Sequence, residues 1–391
     1  MFCKVLNCRN FLFFSFFFTF LFTTGCSKID DGAIKIGHVA PLTGNQAHLG
    51  KDNEAGAKIA IKDLNQSNIT IDGKKAKFIL ISEDDAADPK QGTSAAQKLV
   101  DSNVAGVIGH LNSGTTMPAS TVYNRAGIPQ ISPSATLPKY TKRGYKTAFR
   151  VVANDVQLGG SLGRYAFTDL KAKTAAIIDD RSAYGAGVAA EFKIGFEKSG
   201  GKIIENQYTN DKSTDFFAIL TSIKSNNPDI IFFGGMDAVA GPMIRQIKQL
   251  NIKKPFLGGD GICTAELPKL AGKAIGSNKV FCAEAGGLTD EESIKKNKDF
   301  RERFERETGY EVKLYSPYVY DATMILVEAM KIADSSDPKL FLKEISNIEY
   351  LGVTGPISFD EYGDVKNASL TIYTFDLTSK SPVKVIRSSI E

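Results

Sequence analysis

Histidine is scarce in this chain: His38, His48 and His110 are the only three among 391 residues. None stands at a ligand spacing from another or from a cysteine, and no H-E-x-x-H occurs, so a metal centre has no ligand set. No G-x-G-x-x-G follows a strand-like run and there is no Walker loop, which leaves nucleotide chemistry without support. Charge of one sign is also missing. The 48 basic and 44 acidic residues are interspersed, so the net charge of +4 forms no basic stripe for nucleic acid. With 42% hydrophobic residues the chain is ordered, and its length suffices for two domains with separate cores. One enzyme-like match, "GGSLG" at 159–163, fits the G-x-S-x-G of a hydrolase elbow. That elbow needs a strand-to-helix turn and a downstream acid and His. Here the segment reads as helix interior after Asp155 and all three His precede it, so the chain is read as a non-enzyme.

The amino terminus is informative. "MFCKVLNCRN" carries Lys4 and Arg9 without an acid, and "FLFFSFFFTFLFTTGC" adds an apolar run ending in small residues before Cys26. A charged start, an apolar stretch short for a membrane span and a small-residue end describe an export signal over residues 1–25. The "TTGC" ending resembles a bacterial lipoprotein signal, which implies that Cys26 becomes the lipidated first residue and holds the protein at the cell envelope. Cleavage as a plain periplasmic protein, or an uncleaved anchor, are the other readings. With Cys3 and Cys8 in the leader and Cys26 at the lipid site, Cys263 and Cys282 remain. In an oxidising compartment they point to one disulfide, the alternative being two buried thiols.

Periodicity organises the body. Buried-strand runs at 33–40, 77–84, 104–110 and 128–132 alternate with helix-length segments. The alternation restarts with runs at 174–180, 201–209, 229–235, 254–260 and 279–286. Parallel sheets with helices on both faces follow, in two similar lobes. After residue 286 come three helical stretches, one charged, one apolar and one opening at Asp337-Pro338. The chain then ends in strands "GPISFD" and "SLTIYTFDL", joined by "EYGDVKNA" with hairpin character. No flexible linker appears, so ordered crossing strands join the lobes as a hinge.

Polar clusters sit where strands end. "GHLNSGTT" places Asn112 and Ser113 at a helix start, and "ISPSATLP" places Ser134 and Thr136 in a Pro-bounded loop. Hydroxyls and helix-start N–H groups at two neighbouring strand ends suit a carboxylate. The plainer role, capping by Ser113 and Ser134, is compatible with it. His110 beside them reads as structural. In the second half, "LGGDGICTAEL" places Asp260 after a strand, where it can accept from an ammonium, and "DDRSAYGAG" places Tyr184 in a loop where its ring can cover a ligand. An amino acid zwitterion needs both kinds of partner.

"GHVAPLTG", "DDAADPKQGTSAAQKLV", "VIGHLNSGTTMPAS", "ISPSATLP", "YGAGVAAEF", "GGDGICTAEL" and "GPISFDEYGDV", in this order, resemble the leucine/isoleucine/valine-binding proteins that serve branched-chain amino acid ABC transporters. The resemblance spans the chain from about Ile34 onward. It implies an α/β type I periplasmic binding fold: two Rossmann-like lobes with parallel sheets and a three-segment hinge. After a tether at 26–33, lobe 1 is 34–154 with 284–370 and lobe 2 is 155–283 with 371–391. The resemblance further implies that Ser113, aided by the backbone at Thr136, binds the ligand carboxylate. The Ser134 carbonyl and Thr136 hydroxyl take the ammonium, Asp260 supplies its counter-charge from the opposite lobe and Tyr184 packs over the ligand. Asn112 and Ala135 complete the binding set, and Leu49, Met236 and Tyr315 line the pocket. Leu49 and Met236 stand where aromatics are common, Asp260 where a Glu is, and Asn112 and Ala87 where some members bridge cysteines. The implied function is capture of an aliphatic or branched-chain amino acid by hinged closure and delivery to a membrane permease, by a monomer without cofactor or nucleic acid partner. A sensory receptor of the same fold for another amino acid, an amide or a small organic anion is the alternative.

Overall fold

The computed structural model describes residues 32–277, 279–288 and 290–387. The leader, Cys26 and most of the tether lie outside the described residues. The first run is β1 (Ile34–Ala40), α1 (Ala47–Gln66), β2 (Thr70–Ile71), β3 (Lys74–Lys75), β4 (Phe78–Asp84), α2 (Pro89–Asp101), β5 (Gly106–Gly109), α3 (Ser113–Ala126), β6 (Gln130–Ser132), α4 (Lys139–Lys142) and β7 (Ala148–Arg150). The second is α5 (Asp155–Thr168), β8 (Thr174–Asp179), α6 (Ala183–Lys198), β9 (Lys202–Tyr208), α7 (Phe217–Asn226), β10 (Ile230–Gly234), α8 (Asp237–Gln249), β11 (Phe256–Gly258), α9 (Leu267–Ala271) and β12 (Val280–Glu284). The third is α10 (Glu291–Thr308), α11 (Ser316–Ile332), α12 (Pro338–Asn347), β13 (Tyr350–Gly352), β14 (Gly355–Ile357), β15 (Ser369–Phe375) and β16 (Lys380–Arg387).

One sheet has the order β4-β1-β5-β6-β7, with every pairing parallel. The strand period of two explains its coverage. Ile36 and Ala40 of β1 pack with Leu49 and Ala57 of α1 and Ile325 and Leu326 of α11. Val39, on the other face, packs with Leu99 of α2 and Ala119 and Tyr123 of α3. The second sheet runs β16-β15-β12-β11-β10-β8-β9. Its inner strand β10, "IIFFG", is buried at every position, as a strand covered on both faces must be. β15 and β16 are antiparallel additions at its edge, so this sheet is mixed rather than wholly parallel.

The "GGSLG" segment lies inside α5, and its glycines have a packing reason. A Cβ on Gly159 would stand 2.6 Å from the Val188 carbonyl oxygen, and one on Gly163 would stand 2.4 Å from that of Phe192. Only glycine lets α5 and α6 approach this closely.

The expected hairpin between 355–360 and 369–377 does not form. Phe359 and Val365 bridge across a tight turn, but β14 then pairs with β13 while β15 joins β12 and β16. The turn is pulled away by Asp364. Its Oδ1 accepts from Arg150 Nε and Thr141 Oγ1, both at 2.7 Å, and its Oδ2 accepts from Asn154 Nδ2 at 3.0 Å. Fully buried Arg150 also donates to the carbonyls of Ala135 and Leu137. Burial pushes the Asp364 carboxyl up, but the Arg150 charge and these hydrogen bonds outweigh it and hold it below the usual range. The chain passes between the sheets at 150–155, 284–291 and 357–369. The Arg150 amide donates to the Gly363 carbonyl and that of Ala153 to Ala285, which ties the three passages together.

Candidate functional site

The first lobe's side of the cleft is two loops stitched to each other. The His110 carbonyl accepts from Thr116 Oγ1 at 3.1 Å and Ser132 Oγ at 2.9 Å, and Ser132 Oγ in turn accepts from the Ala135 amide at 2.9 Å. His110 itself is fully buried, its ring held between Asp85 and Tyr123 at 3.0 Å each, which is a structural position. Ser134 Oγ donates to the Leu111 carbonyl at 2.8 Å, and Ser113 Oγ accepts from the Leu137 amide at 3.3 Å. Neither serine caps a helix. Asn112 holds the N-cap position of α3 with no side-chain cap bond, and Ser113 is the first helical residue. Accepting through oxygen leaves the Ser113 hydroxyl proton free to be donated to an anion.

The second lobe contributes an acid between two phenols. Asp260 opens a single 3-10 turn, Asp260–Ile262, directly after β11. Its Oδ2 accepts from Tyr315 OH at 2.9 Å, and Tyr184 OH accepts from the Gly261 amide at 2.9 Å. Burial pushes the Asp260 carboxyl up to about 6, against the hydrogen bonds from the two tyrosines. Tyr184 lies in the first turn of α6 rather than in a loop, because Ser182 caps that helix through the Gly185 amide. Tyr315 is positioned from the first lobe. Buried Asp52 on α1 accepts from the amides of Lys313, Leu314, Tyr315 and Ser316 and from the Ser316 hydroxyl.

Between these walls lies a small cavity of about 10 Å³, lined by Leu111, Asn112, Ser113, Ser134, Tyr184, Met236 and Tyr315. Asp260 reaches it through Tyr315. Thr136 stands beside Asp155, whose carboxyl is pushed up to about 8, first by burial; the Thr136 hydroxyl lowers it and nearby Asp260 raises it. Ala135 is turned toward the hinge, with its carbonyl on Arg150. Leu49 is fully buried in the core and is not part of this lining.

Four further groups belong to the cleft without having been read from the sequence. Among the described residues, both carboxylate oxygens of buried Asp155 and the neighbouring Thr136 hydroxyl lie without a hydrogen bond of good geometry, although Asp155 was visible as a helix start. Gln46 Oε1 accepts from Asn112 Nδ2 at 2.7 Å. His48 of the first lobe meets Asp237 of the second at 2.8 Å, and Thr264 Oγ1 donates to the same Asp237 oxygen at 2.6 Å. Lys313 and Glu266 form a second ion pair across the cleft at 2.5 Å. Cys263 and Cys282 are joined by a disulfide that connects the Asp260 turn to β12.

The arrangement offers a hydroxyl donor and helix start for an anion, facing buried carboxylates for a cation, with a small apolar remainder. Residues 33–381 match a family model described as periplasmic binding protein. The chain is 35% identical over 345 residues to the Leu/Ile/Val-binding protein homolog 1 of Brucella suis, covering 88% of this chain and 90% of the relative. It is 32% identical to the leucine-, isoleucine-, valine-, threonine-, and alanine-binding protein of Pseudomonas aeruginosa, covering 87% and 89%. Among solved structures, the branched-chain amino acid transporter substrate binding protein LivJ of Streptococcus pneumoniae, in complex with isoleucine, superposes with a TM-score of 0.82. It is 26% identical and is covered in full by 91% of this chain.

Proposed function

Because this chain belongs to the periplasmic binding protein family, we propose that it captures an amino acid outside the cytoplasm and delivers it to the membrane permease of an ABC transporter. The observation that carries this reading is the opposition of Ser113 at the start of α3 and Asp260 on the facing lobe, around one small cavity. A zwitterion bridges two such walls and draws the lobes together, so ligand and closure favour one another. The names of the relatives support an aliphatic or branched-chain ligand.

In this reading Ser113 and the Thr136 backbone hold the carboxylate, and the Ser134 carbonyl, the Thr136 hydroxyl and Asp260 hold the ammonium. Tyr184 and Tyr315 cover the ligand, and Asn112 and Met236 bound its side chain. Asp155, within reach of Asp260's charge, joins the ammonium subsite. The lobes are 34–154 with 284–370 and 155–283 with 371–391, and no bond is made or broken on the ligand. Export through the 1–25 leader and lipid attachment at Cys26 place a monomer at the envelope beside its permease.

A thermal-shift panel of the amino acids followed by calorimetry tests the proposal. A true ligand at a hundredfold excess over Kd adds about 2.7 kcal/mol to the stability of the protein. If no amino acid in the panel shifts the melting temperature or gives heat, the reading is wrong.

A further inference from the structure

The side chain of Asn112 is oriented by a partner and incomplete. It holds the N-cap position of α3 yet makes no cap bond, and its Nδ2 donates instead to Gln46 Oε1, at the N-cap of α1, at 2.7 Å. Its Oδ1 is buried and has no hydrogen-bond partner among the described residues. An amide oxygen shut away from water without a donor is unfavourable, and such a group at a pocket wall is completed by what enters the pocket. Asn112 lines the cleft cavity, whose remaining side-chain wall includes Leu111 and Met236. The cavity therefore joins an apolar surface to one unmet polar group.

Taking the cleft as the amino acid site proposed above, we propose that Asn112 is a specificity-determining residue. It selects short amino acids whose side chain carries a hydroxyl, threonine before valine. Threonine and valine have nearly the same shape, and threonine adds the proton that Asn112 Oδ1 lacks while its methyl meets the apolar wall. The choice survives rotation of the two amides about their terminal bonds. With Asn112 and Gln46 both reversed, Nδ2 becomes the unmet group, and a hydroxyl can accept as well as donate. A hydrocarbon side chain satisfies neither arrangement, and sites built for a hydroxyl reject the isostere lacking it.

The test is calorimetric titration of the mature protein with threonine, valine, serine and alanine. Wild-type protein is expected to bind threonine at least roughly tenfold more tightly than valine. Serine should likewise exceed alanine. In Asn112→Ala and Asn112→Leu, with folding checked by the unliganded melting temperature, the threonine-to-valine ratio should fall to about one or invert. The wild-type comparison needs no variant, so a misfolded substitution leaves it decisive. Valine binding equal to or tighter than threonine overturns this assignment alone, as does a ratio unchanged in a folded variant. Absence of binding by every amino acid overturns both this assignment and the transport reading.

Discussion

His48 Nε2 on α1 donates to Asp237 Oδ2 at the start of α8, 2.8 Å away, so a titratable bond spans the cleft. Burial alone would depress the imidazole, but the Asp237 hydrogen bond and charge outweigh it, with Glu266 adding and Lys313 opposing, and raise it above its usual 6.5. A cleft closed on this pair thus holds the proton more tightly than an open one in which His48 faces water. Its contribution to closure is complete below about 6.5 and is lost as pH rises through the higher closed-form value.

Relative to His48→Gln, wild-type ligand affinity should therefore weaken by about two- to tenfold as pH rises from 6 to 8.5. The variant is the reference because the raised Asp155 and Asp260 carboxyls ionise over overlapping pH and strengthen ammonium binding as pH rises. Calorimetry on both proteins across that range checks this, and parallel profiles would show that the pair does not bias closure.

With Asp260 in its proposed role beneath the ligand ammonium, its removal should be severe. Asp260→Ala is expected to lose about 2–5 kcal/mol of binding, equivalent to a fall of thirtyfold or more, because a charged ligand group is left without its counterpart. Tyr315→Phe, which deletes only the hydroxyl that donates to Asp260 at 2.9 Å, should cost about 1 kcal/mol. Equal losses in the two variants would contradict the division of roles.

At the hinge, Asp364→Ala strands the fully buried Arg150 guanidinium. A loss of about 3–5 kcal/mol in unfolding free energy is expected from denaturant titration. Since the Asp364 carboxyl is held below its ordinary range, its contribution is present above about pH 3.9 and disappears as acid titrates it through its lower folded value. A wild-type denaturation midpoint in Asp364→Ala would refute this account of the hinge.

Much of the fold was legible because its strands are covered on both faces, and runs such as "IIFFG" of β10 have no other use. β7, with three residues, was too short to register, and β16 carries Pro382 among lysines, a composition tolerated only at an edge. The apparent terminal hairpin misled because a true turn at 360–364 is flanked by strands bound for different sheets. In the cleft, Ser113, Tyr184 and Asp260 stand just after strands, a local signal. The His48–Asp237 pair and the Gln46 partner of Asn112 join residues distant in sequence, and no local pattern encodes such pairs.

The triple passage between lobes also constrains how the molecule is made. The five strands of the first sheet are complete by Arg150, but the face packed by Ile325 and Leu326 waits for α11, beyond Ser316. During synthesis the part of that apolar face not covered by α1 stays bare while the whole second run emerges. The first lobe's core is therefore completed only when the last third of the chain exists, and its assembly is tied to that of the second lobe.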